Sequence, residues 1–413
     1  MKLLIVTKPM LNSSMEVMSY CFRYQRAYEF LDNSPTRLFD SVINLPCLSL
    51  LEKVGLDGFT NGHVLFVPIN QFTLLSDVSL QCSQPPDKII FLLDEQTPPE
   101  DIFIEGIGKA KDKGFRFAIE GISNYEYMRP IIEQCDYVFI SFRNNKDGLS
   151  EYKKVWPNFK KQVFVATDVD SISTFDRIRY SGFGCFEGKF YSLPVAKTHN
   201  NISPVKVNRI QLINVVRTED FAIEEVVRIV SRDPSLTISL LKLINSPYLG
   251  LSQKVKSIQQ AVALLGQKEV RRWVTAATAG LLAEDKPQEI TRVSLLRARF
   301  CENLARHFEM GIHAPGLFLM GLFSILDVVL EMSMAEALKV VAVSEPIHDA
   351  LVNRAGEYYK VIEIVLKYEA GDWTEVKRLM TIDKLNVEDV LKAYTDAVQW
   401  YDSIASAVVD DEA

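Results

Sequence analysis

The amino-acid sequence predicts two domains of different class: an α/β domain of repeated strand–helix units over residues 1–194 and an all-α domain over residues 205–405. A linker at 195–204 separates them, and an acidic tail follows at 406–413. Three observations predict this layout. Short β-branched and aromatic runs alternate with amphipathic segments as far as Pro194, and apolar residues recur at helical spacing from Val205 onward. Between them, PVAKTHNNISP collects turn formers with few apolar residues. The 413 residues suit two or three domains of about 150 residues each. With 48% hydrophobic and 24% charged residues, the chain is of the kind that buries cores and not of the disordered kind.

In the first domain the expected strands are Leu3–Val6, Met18–Tyr24, Leu65–Pro68, Lys88–Leu93, Arg116–Ile119, Tyr137–Ser141, Gln162–Ala166 and Cys185–Gly188. Helical stretches such as Ile102–Lys113, closed by Gly114, lie between several of them. Repeated βα units imply a parallel sheet covered by helices, and seven or eight of them imply a barrel. The segment is short for eight units, which implies shrunken or missing helices.

Three runs carry a family resemblance: Gly114–Ile119, then Asp136–Ile140, then Gly182–Pro194, GFGCFEGKFYSLP. They resemble successive strands of the EAL domain, a barrel whose active members hydrolyse cyclic di-GMP with two divalent metals held by carboxylates at the strand ends. The resemblance implies where those ligands belong, and this sequence departs from nearly all of them. Cys21 stands at the metal-binding glutamate and Gln25 at the phosphate-contacting arginine. Pro68 stands at the ligand asparagine, unless Asn70 replaces it by a two-residue shift, and Leu92 at a second glutamate, with Asp94 and Glu95 close behind. The paired aspartates appear as Glu120-Gly121, the lysine and aspartate of the next strand as Phe139 and Ser141, a later glutamate as Thr167, and the final glutamine as Glu187. Two hard cations need a ring of oxygen ligands and an activated water. A thiol is a poor substitute, so this EAL-type barrel is expected to be degenerate and without catalysis. Glu120, Asp168, Asp170 and Glu187 are expected as exposed strand-end carboxylates.

The second domain is organised around Ser231–Val274. Asp233-Pro234 opens a helix, because a carboxylate caps free N–H groups and proline suits the first turn. Leu236, Leu240, Leu241, Leu243 and Ile244 give it an apolar face, and Asn245-Ser246-Pro247 closes it. A second helix opens at Ser257 with Gln260 as in a capping box and ends at Gly266; a third runs Gln267–Val274. The order Arg232-Asp233-Pro234, Asn245-Ser246, Ser257-Ile258, Gly266 and Arg271-Arg272-Trp273 resembles the signature of the HDOD domain, an all-helical relative of the HD hydrolases that lacks their metal site. Later helices are expected at Thr275–Ala283, Glu289–Phe308, Ala314–Glu331, Ser333–Val341, Glu345–Arg354, Tyr358–Ala370, Trp373–Met380 and Val387–Ala405. The resemblance places Ser324 and Ile325 where HD hydrolases carry their His-Asp pair. The one His-Asp dipeptide, His348-Asp349, lies in a polar segment and reads as a solvated helix face. The runs Gly321–Asp327 and Tyr368–Trp373 are similar to bacterial proteins that join a degenerate EAL domain to an HDOD domain.

Net charge of −7 argues against general nucleic-acid binding, and Lys268, Arg271 and Arg272 read as a solvated helix face. Cys21, Cys47, Cys82, Cys135, Cys185 and Cys301 show no metal or redox spacing, so free thiols in a reducing compartment are expected. The apolar run Met1–Val6 is too brief for a signal peptide, and no run approaches about 18 apolar residues, so a cytoplasmic protein that does not enter membranes is expected. The whole reading is of a non-enzymatic signal-transduction or scaffold protein without cofactors, acting through protein contacts. The resemblance implies cyclic di-GMP enzymes, histidine kinases or other regulators as partners, and a homodimer is plausible on exposed apolar surface. The alternatives are a sensor that binds cyclic di-GMP or another nucleotide without hydrolysis, and a weak metal-dependent phosphodiesterase using Glu120, Asp168, Asp170 and Glu187.

Overall fold

The computed structural model describes residues 3–26, 46–76, 78, 81–143, 148–194, 204–216, 220–245, 255–341 and 343–409. They form two units, Met1–Leu193 with Lys367–Leu391, and Pro194–Leu366 with Lys392–Ala413. The sequence predicts one helical domain over 205–405, whereas Lys367–Leu391 packs with the first unit.

The first unit is a closed eight-stranded barrel in sequential order. Its strands are β1 (Leu3–Leu11), β2 (Val17–Arg26), β3 (Val64–Pro68), β4 (Ile89–Asp94), β5 (Arg116–Glu120), β6 (Tyr137–Ser141), β7 (Val163–Thr167) and β8 (Cys185–Glu187). All eight expected strands are present. β1 runs antiparallel to both β2 and β8, while β2 through β8 are mutually parallel. The β1–β2 hairpin turns at Asn12, whose side chain accepts N–H bonds from Ser14 at 2.8 Å and Glu16 at 3.0 Å, the local chemistry that suits asparagine to turns. The shrunken helices are real: Gln71–Leu75 spans five residues and Arg129–Ile132 four.

Alternate strand residues point inward, and they fill the barrel with Met10, Cys21, Phe66, Ile90, Leu92, Ala118, Phe139 and Val165. The Phe66 ring lies 5.4 Å from the Phe139 ring and 5.2 Å from that of Tyr137. The interior is a packed apolar plug.

In the second unit Pro234–Ile244 forms the signature helix, and the Asp233 carboxylate accepts the Leu236 N–H at 3.1 Å, as its capping position predicts. Asn245 ties that helix end to Val255: its amide donates to the Leu241 carbonyl at 2.8 Å and the Val255 carbonyl at 2.9 Å and accepts the Val255 N–H at 2.7 Å. Ser246 and the 195–203 linker lie outside the described residues. Gly266, at φ 78° and ψ 161°, breaks the long helix Ile258–Leu282, so its expected stop is a kink between two helical runs. The second run includes the expected third helix and Thr275–Ala283 without a break.

Three helices differ from expectation, the first being Glu289–Phe308, whose α-helix ends at Leu304 and gives way to a 3-10 turn over Ala305–Phe308. Ala314–Glu331 is split into Ala314–Phe323 and Leu326–Leu330, because the Ser324 hydroxyl donates to the Gly321 carbonyl at 2.7 Å and Ile325 turns out of the helix at φ −126°. Glu345–Arg354 is a short helix, Glu345–His348, followed by a π turn over Asp349–Asn353. Trp273 is fully buried 6.4 Å from Trp400, which anchors the closing helix Val387–Val409. The basic trio is not a solvated face throughout: Lys268 is exposed, but Arg271 and Arg272 are half-buried. Arg272 bridges Glu269 and Glu302, each at 2.6 Å.

Asp233 also meets buried Arg209 at 3.0 Å, and Arg209 reaches Glu284 and the Leu281 carbonyl. Burial works to raise the Asp233 carboxyl, but the Leu236 N–H and the Arg209 guanidinium outweigh it and hold it below the usual carboxylate range. A lowered folded pKa contributes stability above the unfolded value of about 4 and loses it as pH falls through the folded value. Asp233→Ala is therefore expected to cost about 2 kcal/mol at neutral pH in denaturant titrations. Its deficit against the parent should shrink below about pH 4.

Candidate functional site

The barrel opens at the C-terminal ends of its parallel strands into a cavity of about 760 Å³, within the range that takes small ligands. Strand register sets the polar rim. Asp94 of β4 pairs with Glu120 of β5, Ser141 of β6 with Thr167 of β7, and Glu187 of β8 with Met10 of β1. Lys8 and Arg23 share the inward faces of β1 and β2 with Met10 and Cys21, because side chains two apart lie on one side of a strand.

Each rim carboxylate is bonded to a donor of the chain itself. Arg23 Nη1 reaches Glu120 Oε1 at 2.7 Å, Lys8 Nζ reaches Glu187 Oε1 at 3.5 Å, and Arg143 Nη2 reaches Asp168 Oδ1 at 3.1 Å. The Ser141 hydroxyl donates to Asp168 Oδ2 at 2.6 Å. Asp94 accepts the Gln96 N–H at 3.0 Å, and Glu95 accepts the Ser123 N–H at 2.9 Å. Burial pushes the Asp94 carboxyl up, against the Gln96 N–H, with the neighbouring Glu120 adding to the rise.

The expected strand-end carboxylates are thus not simply exposed. Glu187 is 4% exposed, Glu120 and Asp168 are half-buried, and only Asp170 stays exposed, outside the cavity, accepting the Lys189 N–H at 3.2 Å.

The other predicted positions divide by depth. Cys21, Leu92 and Phe139 belong to the apolar plug, although Phe139 also borders the cavity. Burial drives the Cys21 thiol up to about 12, against the pull of Arg23, so it stays a neutral thiol at physiological pH. Pro68, Gly121, Ser141 and Thr167 line the cavity. Asn70 lines it too, but its side-chain oxygen accepts the Thr73 N–H at 3.1 Å and caps the helix Gln71–Leu75. Gln25 is half-buried beside Leu4 and is not among the lining residues; Arg23, two residues earlier, supplies the guanidinium.

Sequence reasoning missed Lys8, Arg23, Arg143 and the segment that closes one side. Ala370, Gly371 and Trp373 line the cavity. They are held there by Tyr368, which is fully buried, accepts the Ile5 N–H at 3.2 Å and meets the Trp373 ring edge-on at 5.4 Å. Asp372 caps the following helix, Trp373–Ile382, through the Glu375 N–H at 3.3 Å. The run Tyr368–Trp373 is therefore part of the barrel's rim.

At the position of the His-Asp pair in the helical unit, Ser324 Oγ accepts from Arg297 Nη1 at 3.2 Å and Ile325 is buried. His348 and Asp349 stand 3.9 Å apart on the surface. Among the described residues, no three His, Cys, Asp or Glu side chains gather as a metal-binding group, and no helix is long and apolar enough to cross a membrane.

Fold and site define a two-domain protein, an eight-stranded barrel with an ion-paired mouth joined to an all-helical unit. Residues 203–349 match the HDOD domain, so the helical unit carries an HDOD domain. The protein YuxH of Bacillus subtilis (strain 168), itself described as uncharacterized, is 26% identical across 98% of this chain and 100% of its own. The cyclic di-GMP phosphodiesterase CdgJ of Vibrio cholerae serotype O1 is 26% identical across 79% of this chain and 76% of its own. Among solved structures, an EAL domain protein from Listeria monocytogenes EGD-e covers 46% of this chain and 87% of its own at TM-score 0.36 and 13% identity. Klebsiella pneumoniae BlrP1 covers 47% of this chain and 56% of its own at TM-score 0.38 and 15% identity.

Proposed function

We propose that this chain is a signalling or scaffold protein without catalytic activity, acting through protein–protein contacts in or near cyclic di-GMP signalling. One observation carries the reading. At the barrel mouth, Glu120, Glu187 and Asp168 are each bonded to a cation of the chain, Arg23, Lys8 and Arg143, at 2.7, 3.5 and 3.1 Å. A divalent ion has to displace those cations and leave them beside its own charge. Of the remaining ligand positions Cys21 offers a neutral thiol, Pro68, Leu92 and Phe139 apolar carbon, and Ser141 and Thr167 only hydroxyls, which leaves Asp94 and Glu95, bonded to backbone N–H groups, as the carboxylates outside these ion pairs. The placement in cyclic di-GMP signalling rests on the likeness to CdgJ. Its partners are regulators of that signalling, among them cyclic di-GMP enzymes and histidine kinases.

A second reading, a sensor that binds the nucleotide without hydrolysing it, is favoured by the 760 Å³ mouth and the three cations around it. Calorimetric titration with cyclic di-GMP in magnesium or manganese, with the same samples assayed for the linear product, separates these readings. The proposal expects neither heat nor product. Heat without product makes the barrel a sensor, and product above background makes the chain a phosphodiesterase like the one CdgJ is named for.

A further inference from the structure

The helical unit holds a second cavity, of about 390 Å³, that none of the preceding chemistry uses. One wall is the second run of Ile258–Leu282, where Lys268, Arg271 and Arg272 stand three and four residues apart and so share a face. Apolar side chains complete much of the lining: Phe318 and Leu319 from the helix Ala314–Phe323, with Ile347.

Three cations and one carboxylate, Glu302, line this space. Glu302 is already engaged, accepting Arg272 at 2.6 Å and Arg299 at 2.7 Å. The lining therefore carries net positive charge in a chain whose overall charge is −7. A lining that combines fixed cations with apolar side chains selects an anionic head on a flat apolar body. Guanidinium groups bind phosphate and also stack on aromatic faces, and the phenyl and aliphatic groups cover a ring. The volume exceeds what a free inorganic anion fills and lies near the lower end of the roughly 300–1,000 Å³ typical of small-ligand sites.

We infer that this cavity is a binding site for a nucleoside monophosphate, with the phosphate on Lys268 and Arg271 and the base between Arg271 and the Phe318–Leu319 wall. Arg272, held by Glu269 and Glu302, fixes the cationic wall in place.

The test is isothermal titration of the full chain with AMP, GMP, CMP and UMP, and with adenosine and inorganic phosphate as the two halves of the ligand. At least one nucleotide is expected to bind, at least about tenfold tighter than either half. The double variant Lys268→Gln/Arg271→Gln is expected to weaken it at least about tenfold. Lys268→Gln alone, at an exposed position that leaves the fold undisturbed, is expected to weaken it about threefold or more. No binding by any of the four nucleotides overturns the assignment, as does a folded double variant that binds like the parent or a phosphate-free nucleoside that binds as tightly as its nucleotide.

Discussion

Replacing Gly188 by alanine is expected to destabilise the barrel unit by about 4 kcal/mol or more. Gly188 follows β8 at φ +154°, and a Cβ there meets the Val169 carbonyl oxygen at 2.2 Å, its carbon at 2.5 Å and its nitrogen at 2.6 Å. Those are backbone atoms, so no side chain can swing away. The same backbone is stitched on both sides of the glycine: Val169 N–H donates to the Glu187 carbonyl at 3.0 Å, and Phe190 N–H donates to the Val169 carbonyl at 3.2 Å. Any shift that admits the methyl breaks these bonds and displaces Glu187 from Lys8. Gly121→Ala is the control. It also has positive φ, +74°, but a Cβ meets nothing within 4 Å, so only the conformational cost of about 1–2 kcal/mol is expected. Denaturant unfolding followed by tryptophan fluorescence and circular dichroism compares the two.

Asn245→Ala is expected to cost the helical unit about 3 kcal/mol. Three hydrogen bonds disappear together, and two of them satisfy the N–H and carbonyl of Val255, which is 2% exposed. A buried backbone group left without a partner costs about 1–3 kcal/mol, more than the hydrogen bond itself contributes. Asn245→Asp keeps the acceptor for the Val255 N–H but loses both donors, and is expected to retain part of that stability. If alanine and aspartate cost the same, the acceptor half of the clamp contributes nothing.

Much of this architecture is legible in the sequence. The eight strands announce themselves as short β-branched and aromatic runs bounded by turn formers, and Asp233, Asn245, Ser257 and Gly266 do locally what their residue types predict. What stays hidden is long-range. Whether Glu120, Asp168 and Glu187 are free or paired depends on which cations the closed barrel brings opposite them. Arg23 is 97 residues from Glu120, and Arg143 lies 25 from Asp168. Lys8 gave one signal, a lone lysine in the otherwise apolar or hydroxylated run Leu3–Leu11, on the same face as Met10. Arg23 lies two residues before Gln25, the position where the resemblance places the phosphate-contacting arginine. The role of Tyr368–Trp373 had no local signal, since Tyr368 bonds to Ile5 across 363 residues. Arg271 and Arg272 read as solvated because Phe318 and Leu319, which share their cavity, are distant in sequence.

The proposal turns on Glu120, Asp168 and Glu187 at the barrel mouth being paired with cations of the chain in place of a catalytic metal. Titrating the full-length protein with Mn²⁺ and following the free ion by electron paramagnetic resonance tests it most directly. The account predicts a free-ion signal that rises as in buffer, with no sites saturating in the micromolar range. One or two tightly bound Mn²⁺ ions per chain, lost in a Glu120→Gln/Glu187→Gln variant, would contradict it and return the barrel to the metal-dependent hydrolases.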